Sequence, residues 1–206
     1  SRGDDPALDA PADLVVVAGG DGTVGRVARH MVGRDIPMTI LPSGTANNIS
    51  RTLGLAELPT EELIVGWQNA TVRRFDAGVI DGPWGSRRFF EGVGVGLFAR
   101  TMAEVDAEGA LDHLATAEER VTHARRILHE RIETWAPIPL RLTLDGRDLS
   151  GEYVMVEVMN IRFVGPNLFV APGCDPTDGL FDLVRVSDSR REDLEQYLTD
   201  YRGPRA

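Results

Sequence analysis

The sequence predicts an α/β part followed by an antiparallel β part that carries a helical insertion. Three observations lead there. Two strand–turn–helix units follow one another early in the chain, each with a polar glycine turn, at Gly19-Gly20-Asp21-Gly22 and Ser43-Gly44. Beyond about residue 72 the apolar pattern changes to short strands separated by turns. One long helical pattern, 104–135, interrupts those strands. A βα part followed by an antiparallel part places two domains at 1–72 and 73–188, with a terminal helix over 189–206 that returns toward the first.

In order, residues 1–13 are polar, acidic and Pro-containing, and read as a lead-in. A strand spans 14–18. A helix spans 23–33, because Val24, Val27, Ala28, Met31 and Val32 follow the i, i+3, i+4, i+7, i+8 spacing of a one-sided helix. Pro37 to Leu41 is the second strand, and Pro42 to Thr45 the second turn. Ala46 to Leu53 is a helix with Ala46, Ile49 and Leu53 on one face and Gly54 as its C′ residue. A third helix spans 57–70, with Thr60 as N-cap and Leu58, Leu63, Ile64 and Trp67 as core positions. Strands follow at Val72–Ile80 and Arg88–Gly96 around Asp81-Gly82-Pro83. The helix 104–135 buries Leu111, Leu114, Val121, Ala124, Ile127, Leu128 and Ile132. Strands resume at Leu140–Leu144, turn at Asp145-Gly146, and continue through Glu152–Asn160 and Leu180–Val186. A helix over 189–202 closes the pattern.

Composition narrows the function. The chain has 206 residues, 42% of them hydrophobic and 26% charged, as in ordinary globular domains. Its net charge of −10 argues against nucleic acid as a partner and against general adsorption to anionic membranes. No apolar run is long enough to span a bilayer. The single cysteine, Cys174, excludes an internal disulfide and fits a cytoplasmic setting. All 22 basic residues are arginine. The absence of lysine excludes a Walker-type P-loop, a Schiff-base enzyme and a protein-kinase fold lysine. Any phosphate chemistry here uses backbone N–H groups, arginine and metal.

Successive parallel βα units place both glycine turns on the carboxyl edge of the sheet, where ligands bind in open α/β folds. Asp21 and Thr23 then share a rim with Ser43, Thr45 and Asn47. The first turn by itself has two readings: a phosphate cradle at a helix N-terminus, or an ordinary turn whose Asp and Thr cap the helix. The second turn on the same rim favours the cradle. The nucleotide candidates are Gly19, Gly20, Asp21, Gly22 and Thr23, with Ser43, Gly44, Thr45 and Asn47. Asp21 is the strongest carboxylate on the rim, so it is also the catalytic candidate, with a metal role placed first.

The turn Gly19-Gly20-Asp21-Gly22-Thr23, the stretch Leu41 to Asn48 about twenty residues on, and Ala171 to Asp182 late in the chain resemble the diacylglycerol kinase catalytic-domain family, in the style of its bacterial lipid kinases. The resemblance covers roughly 14–186. It implies an α/β nucleotide-binding domain followed by a β-sandwich domain, with the active site between them. It implies ATP- and Mg²⁺-dependent transfer of a γ-phosphoryl group to a lipid hydroxyl such as that of diacylglycerol, at a membrane surface. By motif, Gly20, Asp21, Gly22 and Thr23 would hold ATP and its Mg²⁺, and Thr45 would be a further contact. Asp175, Asp178 and the backbone carbonyl of Leu180 would form a structural Mg²⁺ site. Without the resemblance, that late loop reads as a plain turn.

The copy is atypical. Gly25-Arg26 stands where the family has Asn-Glu, and Asn47-Asn48 where it has Asn-Asp. The family also carries strands before the first turn and an acidic motif, the presumed base, after the last; the chain reads as a truncated form. His30, His113, His123 and His129 fall on expected helices as surface positions. Phe89, Phe90, Leu97, Phe98 and Met102, opposite Phe163, Phe169 and Val170, form either an acceptor wall or sandwich core. The alternatives are an NAD- or sugar-type kinase and a non-catalytic nucleotide-binding module. Whether the chain forms a homodimer is left open.

Overall fold

The computed structural model describes residues 6–201, so the ends of the expected lead-in and terminal helix, 1–5 and 202–206, lie outside the described residues. The α/β part opens with β1 (Val15–Gly19), α1 (Asp21–Met31), β2 (Met38–Pro42) and α2 (Asn48–Thr52). Strands β1 and β2 are parallel and in register from Val15↔Met38 to Gly19↔Pro42. This puts both following turns at one sheet edge, as the two apolar strands and their short connections require. Val17, Val24, Ile40 and Ile49 form the core beneath them, joined by Ile161 from the second part. Helix α3 (Thr60–Gly66) follows, extended by one 3₁₀ turn to Asn69.

The second part comprises β3 (Gly78–Gly82), β4 (Gly85–Phe89), β5 (Gly92–Gly96), α4 (Leu97–Glu108), α5 (Ala117–Ile132), β6 (Ile138–Leu140), β7 (Thr143–Leu144), β8 (Arg147–Asp148), β9 (Gly151–Met159), β10 (Phe163–Val164), β11 (Leu168–Phe169), β12 (Asp182–Ser187) and α6 (Arg191–Asp200). Strand β9 is its spine. It pairs antiparallel with β12 on one side and with β5 on the other, and β6 joins its first residues. The register places Gly92, Gly94 and Gly96 opposite Met159, Glu157 and Met155. Leu97, Phe98, Leu128, Ile132, Val154, Met155, Leu168 and Leu194 pack into one core. Strand β9, buried on both faces through its middle, and apolar residues of α4, α5 and α6 supply this surface.

Several expectations need correction. The helix expected over 104–135 is two helices. Gly109 ends α4 at φ +60°, where a side chain would be strained, and Thr116 starts α5. Thr116 and Glu119 form a reciprocal capping box. The strands expected at Val72–Ile80, Arg88–Gly96 and Leu140–Leu144 begin later or break in two, while β7 and β8 do turn at Asp145-Gly146, both left-handed. Pro59 rather than Thr60 is the N-cap of α3. Leu58 and Ile64 are exposed; only Leu63 of that helix is buried. Leu53 is also exposed, because α2 ends one residue earlier. Helix α6 packs on α5 and β12, within the second part. No helix among the described residues is long and apolar enough to cross a membrane.

Candidate active site

The two glycine turns touch. A Cβ placed on Gly44 would lie 2.3 Å from the Cα of Gly20, so only glycine permits this approach. Asp21 fastens them. One carboxylate oxygen accepts the Asn48 amide and the other the Ile49 amide, each at 2.9 Å. The first turn therefore caps the helix of the second, and the negative charge sits at the positive end of α2. This differs from the capping reading of the sequence. Asp21 does not cap its own helix: the N-cap of α1 is Gly20, which makes no side-chain cap. Its two oxygens are also engaged before any metal is considered. The amides of Asp21 and Gly22, in the first turn of α1, have no intrahelical acceptor.

Asn47 shapes the second turn from inside. In a left-handed conformation, φ 55°, it accepts from the Gly44 amide and donates to the Gly44 carbonyl, both at 2.9 Å. The Ser43 amide donates to the Gly19 carbonyl at 3.2 Å.

A cavity of about 460 Å³ opens in front of the turns. Of the expected nucleotide residues, Gly20, Asp21, Gly22, Thr23 and Thr45 line it. Gly19, Ser43, Gly44 and Asn47 lie behind and build the turns. The opposite wall comes from the second part: Glu91 between β4 and β5, Asp106 on α4, and Gly165 after β10. The parts are held in place by Asn48 donating to the Gly165 carbonyl at 2.9 Å and by the Arg162 amide donating to Thr52 Oγ1 at 3.2 Å. The site is thus a cleft between the two parts.

Glu91 escaped the sequence reading. Burial raises its carboxyl most, and the charge of Asp21 adds to this, while the Asn48 side chain opposes it; the result is about 8. The available signal was a carboxylate inside Phe89-Phe90-Glu91-Gly92-Val93, a run otherwise apolar or glycine. Arg26, where the family has Glu, lines the same cavity.

The late loop lies away from the cleft. Asp175 accepts from the Thr177 amide at 3.0 Å and hydroxyl at 2.7 Å, and these bonds hold its carboxyl below the usual carboxylate range. Asp178 accepts from the Leu180 amide at 2.9 Å. Asp76, unnoticed in the sequence, is fixed to the loop by the Gly179 amide at 2.7 Å. Hard oxygen donors here suit Mg²⁺ in kind. They are not a preformed cage: among the described residues, no group of three or more His, Cys, Asp or Glu is placed to hold a metal. Cys174 is buried, and burial pushes its thiol up to about 11, so it is inert.

Of the expected acceptor wall, Leu97, Phe98 and Phe163 are core. Phe89 and Phe90 line a second cavity of about 220 Å³. His30 bonds Asp9, His129 bonds Thr199, and His113 and His123 stack edge-on at 5.8 Å; none lines the cleft.

A glycine-turn α/β part joined to an antiparallel part defines a two-domain protein with a cleft between its domains, lined by both glycine turns. Comparison with known proteins gives the family. Residues 5–80 match the model of the diacylglycerol kinase catalytic domain, and residues 99–203 match that of the YegS C-terminal NAD kinase beta sandwich-like domain. The chain belongs to the diacylglycerol kinase catalytic-domain family. It is 29% identical, over 96% of its length, to a diacylglycerol kinase of Mycobacterium tuberculosis, and 27% identical, over 84%, to one of Bacillus subtilis. It spans 62% and 54% of those relatives. A crystal structure described as a diacylglycerol kinase of Bacillus anthracis superposes with a TM-score of 0.65 at 24% identity, over 92% of this chain and 59% of that one. That likeness concerns the fold.

Proposed function

We propose that the protein is an ATP- and Mg²⁺-dependent lipid kinase that transfers the γ-phosphoryl group to a lipid hydroxyl such as that of diacylglycerol. The observation that carries this is the Asp21 clamp, which holds two glycine turns together at the mouth of one cleft. The names of the relatives, diacylglycerol kinase and lipid kinase, support the acceptor class.

In this reading the amides of Asp21 and Gly22 and the hydroxyls of Thr23 and Thr45 bind the nucleotide phosphates, and Arg26 adds positive charge beside them. Gly19, Ser43, Gly44 and Asn47 fix the turns, and Asp21 orients them. Mg²⁺ on the nucleotide would neutralise phosphate charge during transfer. Asp175, Asp178 and the Leu180 carbonyl would hold a second, structural Mg²⁺ that braces the loop. Phosphoryl transfer asks mainly for positioning and charge neutralisation, which such a cradle supplies. The protein would work in the cytoplasm and meet its acceptor at a membrane surface.

Incubation with γ-labelled ATP, Mg²⁺ and a lipid extract, with NAD⁺ and a sugar phosphate as soluble alternatives, tests the proposal. The label should enter the lipid fraction. Label only in a soluble acceptor, or in none, refutes it.

A further inference from the structure

The wall that the second part presents to the cleft is held from behind. Gly165, Pro166 and Asn167 form the turn between β10 and β11, and Gly165 lines the cleft. The hairpin pairs only Phe163 with Phe169 and Val164 with Leu168, and one so short is marginal on its own. Gly165 and Asn167 are both left-handed, at φ 47° and 58°. In a non-glycine residue such a backbone persists where its surroundings hold it.

The surroundings here are α5 and the end of α6. Arg125, half-buried on α5, donates its Nε–H to the Pro166 carbonyl at 2.8 Å and a terminal N–H to the Asn167 carbonyl at 3.5 Å. Tyr201, the C-cap of α6, donates its hydroxyl to the same Asn167 carbonyl at 2.5 Å. The two side chains support each other. The guanidinium carbon lies 4.6 Å from the centre of the Tyr201 ring, and that ring packs on Tyr197 with centroids 5.0 Å apart. On the cleft side, the Asn167 amide donates to the Gly165 carbonyl at 2.8 Å, and the Asn48 side chain reaches that carbonyl from the first part. Asn48 is buried, and its own amide is one of the two that bind Asp21. An unbroken run of hydrogen bonds therefore joins α5 and α6 to the Asp21 clamp.

We propose that Arg125 and Tyr201 are positioning residues for the nucleotide site. By fixing the Pro166 and Asn167 carbonyls they keep the Gly165 carbonyl on Asn48, which sets how closely the second part's wall approaches the two glycine turns. The proposal rests on the nucleotide reading given above. Neither side chain lines the cleft, so each acts through the turn. A guanidinium suits the task because its N–H groups form a rigid planar fork that reaches two neighbouring carbonyls at once. The coupling is reciprocal: nucleotide in the cleft tightens the turn and the end of α6.

Titration calorimetry with Mg·ATP tests this on the native chain, Arg125→Ala, Tyr201→Phe, Asn48→Ala and the double variant Asn48→Ala/Arg125→Ala, with circular dichroism as the check on folding. Affinity should fall ~10-fold in Arg125→Ala. It should fall ~3-fold in Tyr201→Phe, which loses one hydroxyl. The double variant should bind no more weakly than Asn48→Ala alone, because both changes break the same run. In the native chain Mg·ATP should also slow hydrogen exchange at the Asn167 and Tyr201 amides, and Arg125→Ala should lose that protection. An Arg125 that only stabilised the fold would lower the melting temperature and leave affinity and protection as they were. Unchanged affinity in folded Arg125→Ala, or losses that add in the double variant, overturns the proposal. Should Arg125→Ala fail to fold, the same cycle run with Tyr201→Phe decides by the same two outcomes. A native chain that does not bind Mg·ATP brings down the nucleotide reading itself, and the positioning role with it.

Discussion

Glu157 is the most exposed point of the fold's energetics, although it is almost wholly buried. It is 2% accessible, in the middle of β9, with Gly94 across the strand pair. A Cβ on Gly94 would lie 1.9 Å from its Oε2, so glycine there makes room for the carboxyl. Its Oε1 is buried with no hydrogen-bond partner. Burial alone pushes this carboxyl from 4.5 to about 8, so it is neutral in the fold at pH 7. The sign follows. Between those two values the folded state holds a proton that the unfolded chain has released, so stability falls as pH rises. At ~1.4 kcal/mol per pH unit, the interval from 4.5 to about 8 caps the loss near ~5 kcal/mol. Glu157→Met replaces the carboxyl with an apolar side chain of similar length. Urea unfolding at pH 5, 7 and 9 measures the effect. The native chain should lose stability between pH 5 and pH 8 much more steeply than the variant, and the variant should be the more stable at pH 9. Parallel pH dependences would refute the assignment of a neutral, desolvated Glu157.

Three further outcomes follow from the same geometry. Gly44→Ala drives a methyl against the Gly20 backbone, so the turns must part; nucleotide binding should weaken by at least ~10-fold, read by titration calorimetry, with the second part's core unaffected. Thr116→Ala removes the hydroxyl that accepts the Glu119 amide at 3.1 Å; it should cost ~1 kcal/mol in urea unfolding and leave the cleft unchanged. Asn160→Leu leaves the Asp76 and Phe90 carbonyls without the donor that now reaches them at 2.8 and 2.9 Å; the cost should be ~1–3 kcal/mol in the same assay.

The glycine turns were legible because their chemistry is local: short apolar strands, glycines and an apolar helical stripe specify the βα unit without help from distant residues. The hairpin at Asp145-Gly146 was legible for the same reason. The split of the helix at 109–116 was written in the sequence too, as a glycine followed by Thr116-x-x-Glu119, but the apolar stripe running through it hid the break. What could not be read was long-range. That Asp21 caps α2, 27 residues away, depends on the parallel register of β1 and β2. Glu157 sits in a strand and Glu91 in the bend between β4 and β5, both amid apolar or glycine neighbours, and their burial is decided by packing with distant parts of the chain. Asp76 joins the late loop only because Asn160 and Pro176 are folded against it.

Mg·ATP binding measures most directly whether Asp21 is the clamp of a nucleotide site. Titration calorimetry on the native chain, Asp21→Asn and Asp21→Ala, each checked for folding by circular dichroism, should give binding that weakens by at least ~10-fold in the alanine variant and less in the asparagine variant, which keeps one acceptor for the α2 amides. Folded variants that bind Mg·ATP as tightly as the native chain would contradict it.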